Sequence, residues 1–255
     1  ADNTYVGFKA GLGAAGADAG NVGIGANALL AITTGTINVA VGIDTLKANT
    51  TGAGNTAIGR EAMKTSTTAN YNTAVGVSSL LSNVTGSQNV AVGQAALKDN
   101  LGDNNTAVGT LALENNTEGD ANTALGTSAG ASLTTGQENV IIGYQAMDAA
   151  DRAESYNVAV GVGAMGAVDE GSHASALASK NIAIGYNALL GGAFGSSDLD
   201  LLGNIAIGHQ AMDATAGNAQ LGTIAIGYKS LTALTSGTSN VAIGYQASQA
   251  ITSGL

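Results

Sequence analysis

The sequence predicts an all-β fold, a parallel β-solenoid of about fourteen rungs built on a 17-residue repeat. A five-residue phrase recurs fourteen times, for example at residues 38–42 and 240–244. Its usual order is Asn, a β-branched residue, a small residue, an aliphatic residue and Gly. Its alternating pattern is typical of a short strand. One unit cannot bury its own apolar face, whereas stacked units bury it continuously, so the repeat favours a solenoid.

The spacing of the phrases predicts one uninterrupted array over residues 1–255. Most copies follow each other by 17 residues, and the marker Asn stands at positions 3, 21, 38, 55, 72, 89, 105, 122, 139, 157, 181, 204 and 240, with Thr223 in the remaining copy. Two units are longer, at about 162–180 and 186–203. Insertions in solenoids form loops on one face, often the binding face.

The columns of the repeat suggest a division of roles. We expect the β-branched and aliphatic residues, such as Thr56 and Ile58, to face the core. The residue between them is Ala in eleven of fourteen copies, which predicts a flat face open to another chain. A 17-residue coil encloses few apolar side chains, so we predict a homo-oligomer, with a trimer favoured. The Asn column predicts a side-chain ladder.

The invariant Gly predicts a structural turn that needs a positive φ or a close backbone approach. Its members include Gly42, Gly59, Gly76, Gly93, Gly109, Gly126 and Gly143. A small residue and a long apolar residue follow three and four positions later, as in Ala28 and Leu29. We expect a second short strand there, followed by a polar turn.

Composition excludes several classes of function. The net charge is −10 and no cluster of Lys or Arg occurs, which disfavours nucleic acid and anionic lipid as partners. No apolar run could cross a membrane, and cysteine is absent. The acidic turns lack the spacing of known calcium loops. We therefore predict no cofactor, with calcium as the weaker alternative.

Two groups of variable residues are candidates for contact with a partner. The position after the invariant Gly becomes aromatic in the second half of the chain, at Tyr144, Tyr186, His209, Tyr228 and Tyr245. The longer units add Asp169, Glu170, His173, Phe194 and Asp198. The aromatic residues either contact a glycan or protein partner or only stabilise the stack. The insertions either recognise a partner or are neutral loop variation.

The phrases at residues 55–59 and 89–93 resemble the head repeats of trimeric autotransporter adhesins and the repeats of phage tail fibres. The resemblance covers nearly the whole chain. It implies a left-handed β-roll with three chains side by side, displayed outside the cell or virion. The 17-residue unit is longer than the adhesin unit, and residues 1–255 contain no segment that resembles an anchor, a coiled-coil stalk or a chaperone domain.

These features favour a structural or adhesive extracellular fibre module, not an enzyme, that binds a glycan or cell-surface protein through repeated copies. The spacing from Asn240 through Leu255 to Asn3 of a second copy would be 18 residues, close to one repeat. The chain is therefore expected to be a segment of a longer fibre or a subunit that stacks head to tail. The alternatives are an ice-binding solenoid, suggested by recurrent Thr, and a tailspike-like glycan-processing protein, which would need paired carboxylates.

Overall fold

The computed structural model describes residues 2–14, 16, 19–150, 154–168, 178–191, 200–214 and 220–253. As predicted, the protein is an all-β parallel β-solenoid, and no helix occurs in these residues. The chain divides into two compact units, Ala1–Ala121 and Asn122–Leu255. The residues at 169–177 and 192–199, which hold much of the two predicted insertions, lie outside the described residues.

The first unit is a stack of short parallel strands, one to each repeat. The strands in its described part are β1 (Thr4–Val6), β2 (Val22–Ile24), β3 (Val39–Val41), β4 (Thr56–Ile58), β5 (Thr73–Val75), β6 (Val90–Val92) and β7 (Thr106–Val108). Each strand pairs with the next without a register shift, so that Thr56 lies opposite Val39 and Thr73. Equivalent positions of the repeat therefore form columns along the stack.

The second unit repeats this arrangement and adds a smaller sheet. Its main sheet contains β8 (Thr123–Leu125), β9 (Val140–Ile142), β10 (Val158–Val160), β12 (Ile182–Ile184), β14 (Ile205–Ile207), β16 (Ile224–Ile226) and β18 (Val241–Ile243). The smaller parallel sheet contains β11 (Ala178–Ser179), β13 (Leu201–Leu202), β15 (Gln220–Leu221) and β17 (Gly237–Thr238). Its strands lie in the turns that precede the five-residue phrases, in the two longer units and in the two units that follow them.

The orientation of the strands is the reverse of the predicted one. The central Ala of each phrase faces inward, as at Ala57 and Ala74, which are fully buried. The flanking positions face outward, so that Thr56 is partly exposed and Ile58 is 41% exposed. The Ala column is therefore not a contact face for another chain, and the β-branched columns are the surface that remains available.

The thin core explains this inversion. The long side chain four residues after the invariant Gly fills the space opposite the strand, and these side chains are completely buried at Leu29, Leu46, Met63, Leu80, Leu97 and Leu113. The inward position of the strand then carries a small group in most rungs, although the larger Ile141 is also fully buried there. At Gly23, an added Cβ would lie 3.5 Å from the Cδ1 of Leu29 and only 2.9 Å from the Cδ1 of Tyr5. In most rungs, a short and a long side chain thus face each other across the core.

The second strand predicted after the invariant Gly is absent from the described residues there. The chain instead makes turns in which alternate residues adopt positive φ, such as +56° at Asp44 and +47° at Leu46. The backbone still bonds from rung to rung, because Asp44 N–H donates to the Ala26 carbonyl at 2.9 Å and Leu46 N–H donates to the Ala62 carbonyl at 3.0 Å. Alternating φ lets the chain curve while its backbone groups keep partners in neighbouring rungs.

The predicted Asn ladder is confirmed by its hydrogen bonds. Asn55 is buried, and its Oδ1 accepts the backbone N–H of Asn72 at 3.0 Å and the Asn72 Nδ2 at 3.1 Å. Its Nδ2 donates to the carbonyl of Ala69 at 2.8 Å, in the turn before the next phrase. Each such Asn therefore joins the strand of one rung to the strand and turn of the next.

The invariant glycines lie where the backbones of successive rungs approach each other closely. Those at positions 42, 59, 76, 93, 109, 126 and 143 have φ between +134° and +142°. At Gly42, an added Cβ would lie 2.5 Å from the carbonyl oxygen of Gly59. Both a positive φ and a close backbone approach therefore require glycine at this position.

Candidate functional site

The aromatic residues of the column after the invariant Gly form a continuous stack in the second unit. The rings of Tyr186 and His209 have centroids 5.0 Å apart, those of His209 and Tyr228 are 5.3 Å apart, and those of Tyr228 and Tyr245 are 5.2 Å apart. The interplanar angles are 9–25°. We call these four residues the aromatic stack, and all four are exposed on the surface.

Tyr144 belongs to the same column but is separated from the aromatic stack. The intervening rung carries Val162, which is 45% exposed, at the corresponding position. Tyr144 and Tyr186 therefore border an open cavity of about 380 Å³, which we call the notch. It is lined by Tyr144, Gln145, Asp148, Val162, Gly163, Gly166, Ala167, Tyr186, Asn187 and Leu190.

Two glycines of the middle rung line the notch. Gly163 stands between Gln145 and Asn187 in the column two positions after the invariant Gly, where the other two rungs carry amide side chains. Gly166 stands three positions further along, between Asp148 and Leu190. An added Cβ at Gly163 would meet the Oδ1 of Asn187, and one at Gly166 would lie 2.9 Å from the Gln145 carbonyl oxygen, so both glycines are in close contact with the neighbouring rungs.

Asp148 gives the notch one carboxylate. Partial burial raises the pKa of Asp148 above its ordinary value, although a hydrogen bond with the Gln145 side chain and one with its own backbone N–H act in the opposite direction. The carboxylate is thus partly removed from water and would gain from further hydrogen-bond donors. The notch combines aromatic walls, a backbone floor and a small number of polar groups, which are the usual features of a ligand site.

The outward residues of β12, β14, β16 and β18 form a second surface, which we call the strand face. Its members are Ile182, Ile184, Ile205, Ile207, Ile224, Ile226, Val241 and Ile243. The exposure of Ile184 is 38% and that of Ile243 is 66%. A contiguous patch of branched aliphatic side chains on a sheet is characteristic of an interaction surface.

The structure therefore brings together some of the predicted contact residues and leaves others apart. Tyr186, His209, Tyr228 and Tyr245 share one stack, and Tyr144 faces Tyr186 across the notch. The insertion residues Asp169, Glu170, His173, Phe194 and Asp198 lie outside the described residues. Lys229 accompanies the stack, with its Nζ 5.6 Å from the centre of the Tyr228 ring.

Sequence reasoning missed Gln145, Gly163, Gly166 and Asn187, and it considered Asp148 only as one of the acidic turn residues. A signal for them exists, because aligning the repeats shows two glycines in one rung at columns where both neighbouring rungs carry longer side chains. In a chain with 38 glycines, these two are noticeable only when the columns are compared rung by rung.

In the described part of the chain, no three His, Asp or Glu side chains converge as a metal site, and no helix is long and apolar enough to span a membrane. No protein-family model, curated protein or solved structure matches the chain. The geometry of the strand face and the notch is thus the basis for a functional assignment.

Proposed function

We propose that this protein is a structural and adhesive module of an extracellular fibre, on a cell or virion surface, that assembles as a homotrimer. The observation that supports this most is the strand face, where each of four successive rungs presents two branched aliphatic side chains outward. The Asn ladder and the in-register strands give a stiff support for repeated display. The resemblance to trimeric adhesin and tail-fibre repeats favours three chains over two.

Self-association would cover the strand face. Flat parallel sheets are usually buried on both faces, because their strands are apolar on both sides. Here the inner side of each strand is covered by the core, whereas the outer side is open at residues such as Ile184. An identical chain is a suitable partner because its rungs have the same spacing, which lets aliphatic columns interdigitate along the strand face.

The polar groups that line the notch favour a role in ligand binding over a role in catalysis. Its described lining contains one carboxylate, Asp148. Glycosidases commonly place two carboxyl groups roughly 5–10 Å apart across the scissile bond. A single carboxylate beside aromatic rings suits recognition of a ligand, and a fibre with several copies of such a site would gain avidity.

The oligomeric state tests this proposal. Light scattering of the purified chain should give three times the monomer mass of 24.7 kDa. Ile205→Lys should release monomers, because it places a charge in the middle of the covered face. Gln210→Lys is the matched control, since its column already accepts Lys229.

A monomeric wild-type protein, or an Ile205→Lys variant that stays trimeric, would overturn the assembly part of the proposal. Electron microscopy of the same sample separates discrete particles from filaments formed by head-to-tail stacking.

Ice binding is a second candidate because the Thr column proves to face outward. Thr56, Thr73 and Thr106 are partly exposed on the sheet of the first unit, where rungs repeat at about 4.8 Å. Val90 interrupts this column. An ice-binding function predicts thermal hysteresis that is lost in Thr73→Lys, and a wild-type protein without thermal hysteresis would eliminate it.

A further inference from the structure

We propose that the notch between Tyr144 and Tyr186 binds one pyranose ring of a carbohydrate ligand. This inference rests on the proposed function as a displayed adhesive module and specifies the ligand class of one site on it. The space of about 380 Å³ is within the range of small-ligand pockets, roughly 300–1,000 Å³.

The spacing of the aromatic residues along the column explains why a ring-shaped ligand can bind in the notch. Within the aromatic stack, each ring is covered by another at 5.0–5.3 Å. Tyr186 is covered by His209 on one side only, and on its other side the next aromatic residue is Tyr144, two rungs away. Two rungs correspond to roughly 10 Å, about twice the stacking distance. Val162 occupies the rung between them, is smaller than an aromatic ring and lines the notch, so a ring-shaped ligand in the notch can contact tyrosine.

The polar groups of the notch can form hydrogen bonds with the hydroxyl groups at the edge of a sugar ring. Asp148, Gln145 and Asn187 contribute a carboxylate and two amides around the aromatic walls. Hydroxyl groups of a pyranose can donate to the Asp148 carboxylate and exchange hydrogen bonds with both amides. The C–H faces of the same ring can pack on tyrosine. A pyranose thus satisfies apolar and polar parts of the notch together.

An aromatic side chain of a peptide would satisfy the site less well. It could pack between Tyr144 and Tyr186, but a phenylalanine ring would cover the Asp148 carboxylate without supplying a donor, and a tyrosine or tryptophan would supply only one. Partial burial already raises the pKa of Asp148, so additional covering without a donor would be unfavourable. This difference favours carbohydrate and makes peptide binding an outcome that the experiment can detect.

The test uses the full chain on an array of oligosaccharides ending in hexoses or N-acetylhexosamines, with aromatic peptides on the same array. We expect binding to a subset of the sugars and not to the peptides. Tyr144→Ala removes one wall and should weaken binding at least about tenfold. Gly163→Gln fills the notch and should weaken it similarly, because the new side chain must displace that of Asn187.

Gly163→Gln is compatible with the fold. Its backbone has φ of +64°, and Gln145 occupies the same column in the preceding rung with φ of +53°. Tyr156→Ala is the matched control, since Tyr156 is exposed in the same unit but does not line the notch. Ala121 shows that alanine is accepted in that column at a similar φ.

The variants must keep the wild-type mass and unfolding midpoint, so that lost binding reports on the notch. Absence of sugar binding by the wild type, unchanged binding by both notch variants, or a preference for aromatic peptides would each overturn the inference. The mass measurement judges the trimer independently, so the notch inference can fail while the proposed assembly stands.

Discussion

Replacing Asn55 with leucine is expected to lower the free energy of unfolding by roughly 3–5 kcal/mol, since several buried polar groups would each lose a partner at about 1–3 kcal/mol. The Ala69 carbonyl would lose the Asn55 Nδ2, and the Asn72 N–H would lose the Asn55 Oδ1. Leucine has the same number of side-chain heavy atoms as asparagine and the same branching, so the change removes hydrogen bonds without opening a large cavity. Urea denaturation at a fixed protein concentration measures the effect.

An exposed Asn provides the control for this prediction. Asn104 is exposed and has φ of +60°, and Gln88 occupies the same column in the preceding rung. Asn104→Gln should therefore change stability by less than about 0.5 kcal/mol. If Asn55→Leu were equally harmless, the Asn ladder would not contribute to stability.

Asn55→Asp keeps the shape of the Asn55 side chain and removes its hydrogen-bond donor. The carboxylate could still accept from Asn72 but could not donate to the Ala69 carbonyl, and it would place a charge in the core. Burial favours the neutral acid, so folding would raise the pKa of this carboxyl group above its unfolded value. Stability of this variant should consequently increase as the pH falls from 7 towards 4, relative to the wild type.

Replacing Gly42 with alanine is expected to be comparably harmful, at roughly 3–5 kcal/mol from a disallowed backbone conformation and overpacking. The residue has φ of +141°, and the new Cβ would lie 2.5 Å from the Gly59 carbonyl oxygen and 2.7 Å from its carbon. Because these atoms belong to backbone, the rungs themselves would have to separate. We expect faster amide hydrogen exchange in β3 and β4 together with a lower unfolding midpoint.

Gly20→Asn is the corresponding control in the same unit. Gly20 has φ of +68°, a region that asparagine tolerates, and its added Cβ would meet the Ile37 side chain at an ordinary 3.7 Å. A small effect of Gly20→Asn beside a large effect of Gly42→Ala would identify the close rung contact as the cause. Equal effects of the two variants would contradict that explanation.

The repeat predicted the fold class because period and strand pattern are visible without knowledge of the interior. It did not reveal which face of the strand was buried. Alternation at Thr56, Ala57 and Ile58 is compatible with either orientation. The choice is made across the thin core, where Met63 and its equivalents fill the space opposite the strand and alanine takes the inward strand position in most rungs.

The turn after the invariant Gly was beyond sequence reasoning for a different reason. Leu46 and Met63 adopt positive φ although leucine and methionine give no compositional sign of it. Their conformation is imposed by hydrogen bonds to neighbouring rungs. The notch was partly predictable, since Tyr144 and Tyr186 stood out as aromatic residues, but the other residues that line it come together only in the folded chain.

The Asn ladder also has a consequence for how the protein folds. Its bonds join residues mostly 17 positions apart, so each step closes a loop of nearly constant length. The entropic cost of adding a rung is then similar at each step within a unit. A folded rung presents the Asn Oδ1 that accepts the backbone N–H of the next Asn. Folding should therefore spread from one rung to its neighbour after one slow nucleation event. Folding rate should accordingly depend little on how many rungs follow the nucleus.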